Sequence, residues 1–271
     1  MGRLGEFILR RLSRDPQGPD YAIEHYEEKH MDVDVYMRKL VNMFPSIQDS
    51  ITQRVVLSAG CAEGMESLAI AKLGAREVVG VDIRIDSSQN RRLMEQYPDS
   101  RVSFCRTNVE CLSFPDGAFD IVVTCGSLEH FNDPSMALGE LRRVLKDDGI
   151  IYLTSGVWAH PWGSHMNFFT KVPWVQFFFS EATIMKVRSL YRHDGATRYS
   201  EVEGGLNNVG VRAFKRMVSG LKLKTEYLAL VPVRGLHFLT RLNYVNEFFT
   251  SLIVATLSKR VEKIPAAHTR R

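Results

Sequence analysis

The segment Arg54-Val-Val-Leu-Ser-Ala-Gly-Cys-Ala-Glu-Gly64 decides the fold of this 271-residue chain. Its apolar run predicts a buried strand, and the small residues that follow predict a tight turn that opens a helix. The next strand-like run, Glu77-Val-Val-Gly-Val-Asp82, ends on a carboxylate. A glycine-containing turn on one strand and an acid at the tip of its neighbour predict a nucleoside cradle, because the turn admits the ligand and the acid accepts hydrogen bonds from ribose hydroxyls.

The spacing of the small residues in this turn distinguishes between classes of nucleoside. Gly60, Ala62 and Gly64 are two residues apart, whereas dinucleotide-binding turns use G-x-G-x-x-G to present helix N–H groups to a pyrophosphate. Glu63 also lies in the turn, and its carboxylate would repel a pyrophosphate but not a sulfonium. The turn therefore argues against a nicotinamide-dependent oxidoreductase.

Around this turn the chain resembles the class I S-adenosylmethionine (SAM)-dependent methyltransferases, whose first motif is commonly a strand, an acid and G-x-G-x-G. The resemblance is good over about residues 50–158 and loose elsewhere. Further segments match in the same order along the chain: a third strand at 101–106, an adenine-contact loop from 107, a fourth strand at 119–125, a helix that begins at Asp133-Pro134, and a fifth strand at 149–154.

The resemblance implies an α/β, Rossmann-like fold with a seven-stranded, mostly parallel sheet, an antiparallel last strand and helices on both faces. We expect strand six at 221–230 and strand seven at 251–257, the latter between strands five and six. The expected organisation is an N-terminal helical segment (1–50), a SAM-binding core (51–158), a helical and aromatic substrate cap (159–206), a C-terminal part of the fold (207–260) and a basic tail (261–271).

Three positions depart from the pattern of the family. Ser58 stands where the family often has an acid, Ala62 replaces the middle glycine, and Asn108 replaces an Asp that contacts adenine. The side-chain oxygen of Asn108 can still accept a hydrogen bond from an adenine amine. The resemblance assigns contacts with the cofactor SAM to Gly60, Cys61, Ala62, Gly64, Asp82, Ile83, Asn108, Val109 and Cys125.

His130 follows the fourth strand, at the edge where the family places the methyl group. It is the candidate general base, because imidazole titrates near neutrality, and a histidine that only shapes the pocket is the alternative. His165 is the next candidate. Glu129-His130 also resembles a metal-assisted subgroup of the family, but Gly126 stands where that subgroup has a further Glu. His160 and His165 supply only two ligands, so we expect no metal.

The aromatic run at 167–179 has three explanations that stay open. It could form a lid or wall for an apolar acceptor, pack in the core, or contact a membrane surface. Tyr21, His25 and Tyr26 near the N-terminus could fold over the cofactor or pack within a helix.

Charge and composition limit the partners. The formal net charge of +4 resides in the last thirteen residues, which predicts a basic tail and argues against a dedicated nucleic-acid-binding face. No uninterrupted apolar run is long enough for a transmembrane helix. The four cysteines fall on or beside predicted core elements without a metal-type pair, which predicts buried, reduced thiols in the cytoplasm.

The sequence thus predicts a cytoplasmic, SAM-dependent methyltransferase that acts on an oxygen or nitrogen of a small-molecule acceptor, including an apolar or lipid-linked one. The segment Thr124-Cys-Gly-Ser127 lacks the Asn/Asp-Pro-Pro-Tyr/Phe signature of nucleic-acid amino-methyltransferases. The alternative is a non-catalytic SAM-fold module that binds a partner protein.

Overall fold

The computed structural model describes residues 2–13, 32–85, 87–163, 165–166 and 169–259. Tyr21, His25 and Tyr26 lie outside the described residues, as do positions 167–168 of the aromatic run and the tail from 260 onward.

In the described part of the chain, seven strands form one sheet. They are β1 (Val55–Ala59), β2 (Glu77–Asp82), β3 (Val102–Arg106), β4 (Phe119–Cys125), β5 (Leu145–Gly156), β6 (Leu223–Pro232) and β7 (Thr250–Lys259). Their order across the sheet is β3-β2-β1-β4-β5-β7-β6. The first five strands pair in parallel, and β7 is antiparallel to both of its neighbours, β5 and β6. The predicted topology is confirmed.

Helices cover both faces of this sheet. They are α1 (Gly2–Leu12), α2 (Val33–Met43), α3 (Ile47–Ile51), α4 (Met65–Lys72), α5 (Ser87–Gln96), α6 (Pro134–Val144), α7 (Val175–Phe178), α8 (Glu181–Arg188), α9 (Val211–Gly220) and α10 (Asn246–Phe249). Alternate residues of a strand point to opposite faces. Accordingly Leu57 packs in a cluster with α6 and α9, whereas Val56 packs in a second cluster with α2, α3 and α4.

The helix α6 shows how local sequence sets an element's start while tertiary pairing sets its end. Asp133 caps the helix by accepting the N–H groups of Ser135 and Met136, and Pro134 occupies the first turn. The sequence predicted that strand five begins only at residue 149. That prediction is wrong at the start, because Leu145 pairs with Phe119 and begins the twelve-residue strand β5.

The segment 159–206 carries its own small apolar cluster. Phe169 is fully buried there, whereas Phe178 is 70% exposed. Core packing therefore accounts for the first of these aromatic residues and not for the second. The buried members of the cluster are Leu9 of α1, Met166, Phe169, Val175, Ile184 and Val187.

The cysteines are divided between interior and surface. Cys61 is buried and Cys125 is partly buried, but Cys105 and Cys111 are exposed, so the expectation of four buried thiols is wrong for two of them. Cys105 lies on β3, an edge strand of the sheet, where alternate side chains face solvent. No described helix combines the length and the apolar character needed to span a bilayer.

Candidate active site

A pocket lies beside the carboxyl ends of β1, β2 and β4. Its lining also includes His130. Gly64 lies outside the lining. Its φ of 98° is left-handed, and a Cβ atom there would overlap the ring of Phe104, so this glycine serves the packing of the turn. The other predicted cofactor residues line the pocket, namely Gly60, Cys61, Ala62, Asp82, Ile83, Asn108, Val109 and Cys125.

Asp82 builds the cradle as well as facing the pocket. Its Oδ2 accepts the N–H of Ala62 at 3.0 Å, and its Oδ1 accepts the N–H of Arg84 at 2.8 Å. Ala62 has a φ of 45°, which is unusual for a residue with a side chain, and the carboxylate helps to hold it there. Each carboxylate oxygen can accept more than one hydrogen bond, so capacity for a ligand is left.

Gly60 brings the β1 turn against the turn that follows β4. Ser127 Oγ donates to the Gly60 carbonyl at 3.1 Å, and a Cβ atom at Gly60 would overlap the Ser127 side chain. The sequence predicted that this glycine makes room for the ligand. The structure shows that it also makes room for Ser127.

Part of the pocket lining is apolar. Ile83 lines the pocket and is 46% exposed, and the buried Val109 lies in the same lining. Arg106 Nε donates to the Ile83 carbonyl at 2.9 Å, which fixes this loop. The side-chain oxygen of Asn108 accepts the N–H of Glu110 at 2.9 Å and keeps a second lone pair. An exposed apolar side chain beside a polar amide suits a flat heterocycle.

Glu66 is a pocket residue that the sequence reasoning missed. It lies in the first turn of α4, is 8% exposed, and accepts a hydrogen bond from Ser58 Oγ at 3.2 Å. Burial raises the pKa of this carboxyl to about 7, against the opposing effect of hydrogen bonds from Cys125 and Ser58. Burial and the neighbouring Glu66 in turn raise the pKa of the Cys125 thiol.

The Glu66–Ser58 contact places a carboxylate from the following helix beside the strand position where the family often has an acid. A signal existed in the sequence, because Ser58 breaks the family pattern and a Glu follows eight residues later. Tyr36 of α2 also lines the pocket, and no signal in the sequence placed it there.

Of the two predicted catalytic histidines, His130 lines the pocket, and His165 lies against His130 but outside that lining. His130 ends the short 3₁₀ turn Leu128–His130, and its Nδ1 lies 2.6 Å from the Gly205 carbonyl oxygen. The His165 ring is perpendicular to the His130 ring, with 4.9 Å between centroids. Glu129 joins them: one ligand atom from each of Glu129, His130 and His165 lies within 4.8 Å of the other two.

His160 is close to this group but is neutral at physiological pH. Burial, and to a lesser degree His165, lower its pKa to about 4. Its Nδ1 accepts the N–H of Trp162 at 3.3 Å. The Trp162 ring lies beneath the Arg234 guanidinium at 4.3 Å, so these residues anchor the loop.

Comparisons with known proteins agree with this fold. Residues 57–153 match a family model described as a methyltransferase domain. A SAM-dependent methyltransferase structure from Mesorhizobium loti aligns with a TM-score of 0.57 at 14% identity, over 83% of this chain and 99% of that one, which shows the shared fold. Residues 57–153 are thus a methyltransferase domain, and they have the fold of the SAM-dependent methyltransferases.

Curated relatives match this chain over part of its length. The 2-methyl-6-phytyl-1,4-hydroquinone methyltransferase of Synechocystis is 37% identical over 97 residues, which cover 35% of this chain and 30% of the relative. A tRNA U34 carboxymethyltransferase of Campylobacter hominis is 31% identical over 98 residues, which cover 36% and 34%. The chain thus spans about a third of the length of these relatives.

Proposed function

We propose that this methyltransferase transfers a methyl group from SAM to an oxygen or nitrogen atom of a small-molecule acceptor. A single feature carries the proposal: the pocket that holds the nucleoside cradle around Asp82 is also lined by His130, whose ring contacts that of His165. A cytoplasmic location agrees with the exposed free thiols of Cys105 and Cys111, which suit a reducing compartment.

The residues at the cradle end match the chemical groups of SAM. Asp82 would accept hydrogen bonds from the ribose hydroxyls, and Asn108 would accept one from the adenine amine. Ile83 would cover one face of the purine. The buried Glu66 carboxylate would pair with the ammonium group of the methionyl part, which offsets the cost of its burial. Bound SAM supplies an electrophilic methyl group on a sulfonium.

The residues at the other end would act on the acceptor. His130 is the candidate for the group that takes the acceptor's proton, with His165 as the next candidate. Holding the acceptor in line with the methyl group and away from water would supply most of the rate enhancement. Phe177 and Phe178 are 52% and 70% exposed. They would offer an apolar surface to an apolar or lipid-linked acceptor, or to a membrane.

Calorimetry with the full chain tests the cofactor. We expect binding of SAM and of S-adenosylhomocysteine, and no binding of NAD. Preferential binding of NAD, or no binding of either sulfur-containing nucleoside, would contradict the proposal.

Transfer of radiolabelled methyl groups into fractionated cell extract tests the acceptor. Label in a small-molecule fraction is expected, and mass spectrometry of that fraction then identifies the acceptor. Label in tRNA would point to a nucleic-acid acceptor instead. Binding of SAM without transfer to any fraction would favour the non-catalytic module.

A further inference from the structure

We propose that Glu129, His130 and His165 form a binding site for one divalent transition-metal ion at the acceptor end of the pocket. Their ligand atoms already lie within 4.8 Å of one another. Two imidazoles and one carboxylate are a ligand set that Zn²⁺ and Fe²⁺ use in open sites. The expectation of no metal rested on the lack of a third ligand near Glu129-His130, and His165 supplies it from a distant loop.

Glu129 is held in place for such a role. Its Oε1 accepts the N–H of Gly156 at 2.8 Å, and a Cβ atom at Gly156 would lie 2.9 Å from that oxygen, so the glycine permits the approach. Its Oε2 is buried and has no hydrogen-bond partner among the described residues. A buried carboxylate oxygen without a partner is costly, and a cation would satisfy it.

His130 is oriented as metal-binding histidines usually are. The Gly205 carbonyl can only accept, so Nδ1 donates to it, and the two atoms lie 2.6 Å apart. Nε2 is then the nitrogen that would bind a metal ion. Asn207 fixes the surrounding turn, because its Nδ2 donates to the carbonyls of Leu128 and Phe131 at 2.7 and 2.8 Å. The N–H of Asn207 donates to the Glu129 carbonyl at 2.8 Å.

His165 is held in a conformation that needs support. Its φ of 56° is left-handed, a backbone conformation that few residues with a side chain adopt. The preceding turn is tight: the N–H of Gly163 donates to the His160 carbonyl at 2.9 Å, and a Cβ atom at Gly163 would overlap the Trp158 carbonyl. The turn thus holds the His165 ring against the ring of His130.

The ligand set also indicates which ions bind. Magnesium and calcium prefer sites made of oxygen ligands, so a site with two imidazoles favours Zn²⁺, Co²⁺ or Fe²⁺. Three protein ligands leave at least one coordination position open, as in catalytic zinc sites. Because His130 lines the pocket, that position would face the acceptor.

The role of the ion rests on the proposed function, although the binding site itself does not. An acceptor hydroxyl bound at the open position would lose its proton to water more readily, because the cation lowers its pKa. Its oxygen lone pair would then form the new C–O bond while the S–C electron pair stays with sulfur. In the metal-loaded protein His130 would therefore be a ligand and not the base.

Cobalt titration of the metal-depleted full chain tests the site. We expect one Co²⁺ per chain, with visible absorption typical of a low-coordinate nitrogen and oxygen site, and no competition from Mg²⁺. Glu129→Gln, His130→Ala and His165→Gln should each weaken Co²⁺ binding by at least about tenfold. The exposed His237→Ala is the matched control and should bind as the native protein does. Thermal unfolding confirms that each variant is folded.

Two outcomes would overturn the site: no stoichiometric Co²⁺ binding by the native chain, or equal binding by native protein and the folded His165→Gln variant. S-adenosylhomocysteine titrations on the same samples separate this proposal from the previous one. Nucleoside binding without Co²⁺ binding overturns the metal site alone. Co²⁺ binding without nucleoside binding supports the site and overturns the proposed function.

Discussion

The two ends of the pocket are built by different means. At the cradle end, Asp82 and the Gly60 turn lie at the tips of adjacent parallel strands, so strand order alone brings them together. At the acceptor end, Glu129, His130 and His165 meet only because loops are tied to one another by non-local hydrogen bonds. Site residues at strand tips can therefore be predicted from sequence spacing. Site residues on long connections are located only once the folded structure is known.

The sharpest test of this division is at His130. His130→Ala should lower turnover by about 10²–10⁴-fold, because it removes the candidate base or metal ligand. Its affinity for S-adenosylhomocysteine should stay close to that of the native chain. Steady-state kinetics and calorimetry measure the two quantities. Near-native turnover in His130→Gln, which keeps a polar side chain without a basic nitrogen, would make His130 a positioning residue.

The aromatic run at 167–179 offers a test of stability. Phe169 is fully buried, so Phe169→Ala should lower the free energy of unfolding by about 3–5 kcal/mol. Phe178→Ala, at a site 70% exposed, should change it by less than about 0.5 kcal/mol. Denaturant unfolding compares them. An unchanged unfolding free energy with a raised acceptor KM in Phe169→Ala would instead make this ring a wall of the acceptor site.

At the cradle end, Asp82→Ala should weaken binding of S-adenosylhomocysteine by about 2–3 kcal/mol, because charge-assisted hydrogen bonds are lost. Part of this loss would come from the turn, since Asp82 also accepts the N–H of Ala62. Calorimetry gives the affinity, and the exposed Asp99→Ala serves as a control of equal charge change. If Asp82→Ala bound S-adenosylhomocysteine as tightly as the native chain does, Asp82 would not be the residue that binds the ribose hydroxyls.

The smallest expected effect concerns Glu66. Glu66→Gln should weaken S-adenosylhomocysteine binding by about tenfold, because a charge-assisted hydrogen bond to the ammonium is lost. Binding of 5′-methylthioadenosine, which lacks the aminoacyl part, should not change. Equal losses for both ligands would assign Glu66 a structural role. Calorimetry with both ligands makes the comparison.

The pH dependence of the same variant follows from the raised pKa. Because the folded protein holds a proton on Glu66 up to about pH 7, whereas the unfolded value is 4.5, this residue makes the ligand-free protein less stable as pH rises from 4.5 to 7. A bound ammonium favours the carboxylate, so affinity for S-adenosylhomocysteine should rise through about pH 7 in the native chain and not in Glu66→Gln. The difference between the two pH profiles of affinity gives the contribution of Glu66 apart from that of other titrating groups.

The order of the strands came from the resemblance to the methyltransferase family. The sequence by itself determined the strands of the core, the glycine turn and the acid at Asp82. These features depend on local patterns: alternating or continuous apolar runs, turn residues and helix caps, each of which acts over a few neighbouring residues. Their functional geometry then follows from the meeting of parallel strand tips at one sheet edge. Ser58 also marked the absence of the usual acid, although not its replacement.

Only the tertiary structure decided the rest. It buried Glu66 beside Ser58, buried Phe169 while exposing Phe178, and placed Cys105 on an exposed edge. It also brought His165 against His130. None of these outcomes has a local cause, because burial and long-range approach depend on which elements pack together, and that packing is set by the whole apolar core and not by neighbours in the chain.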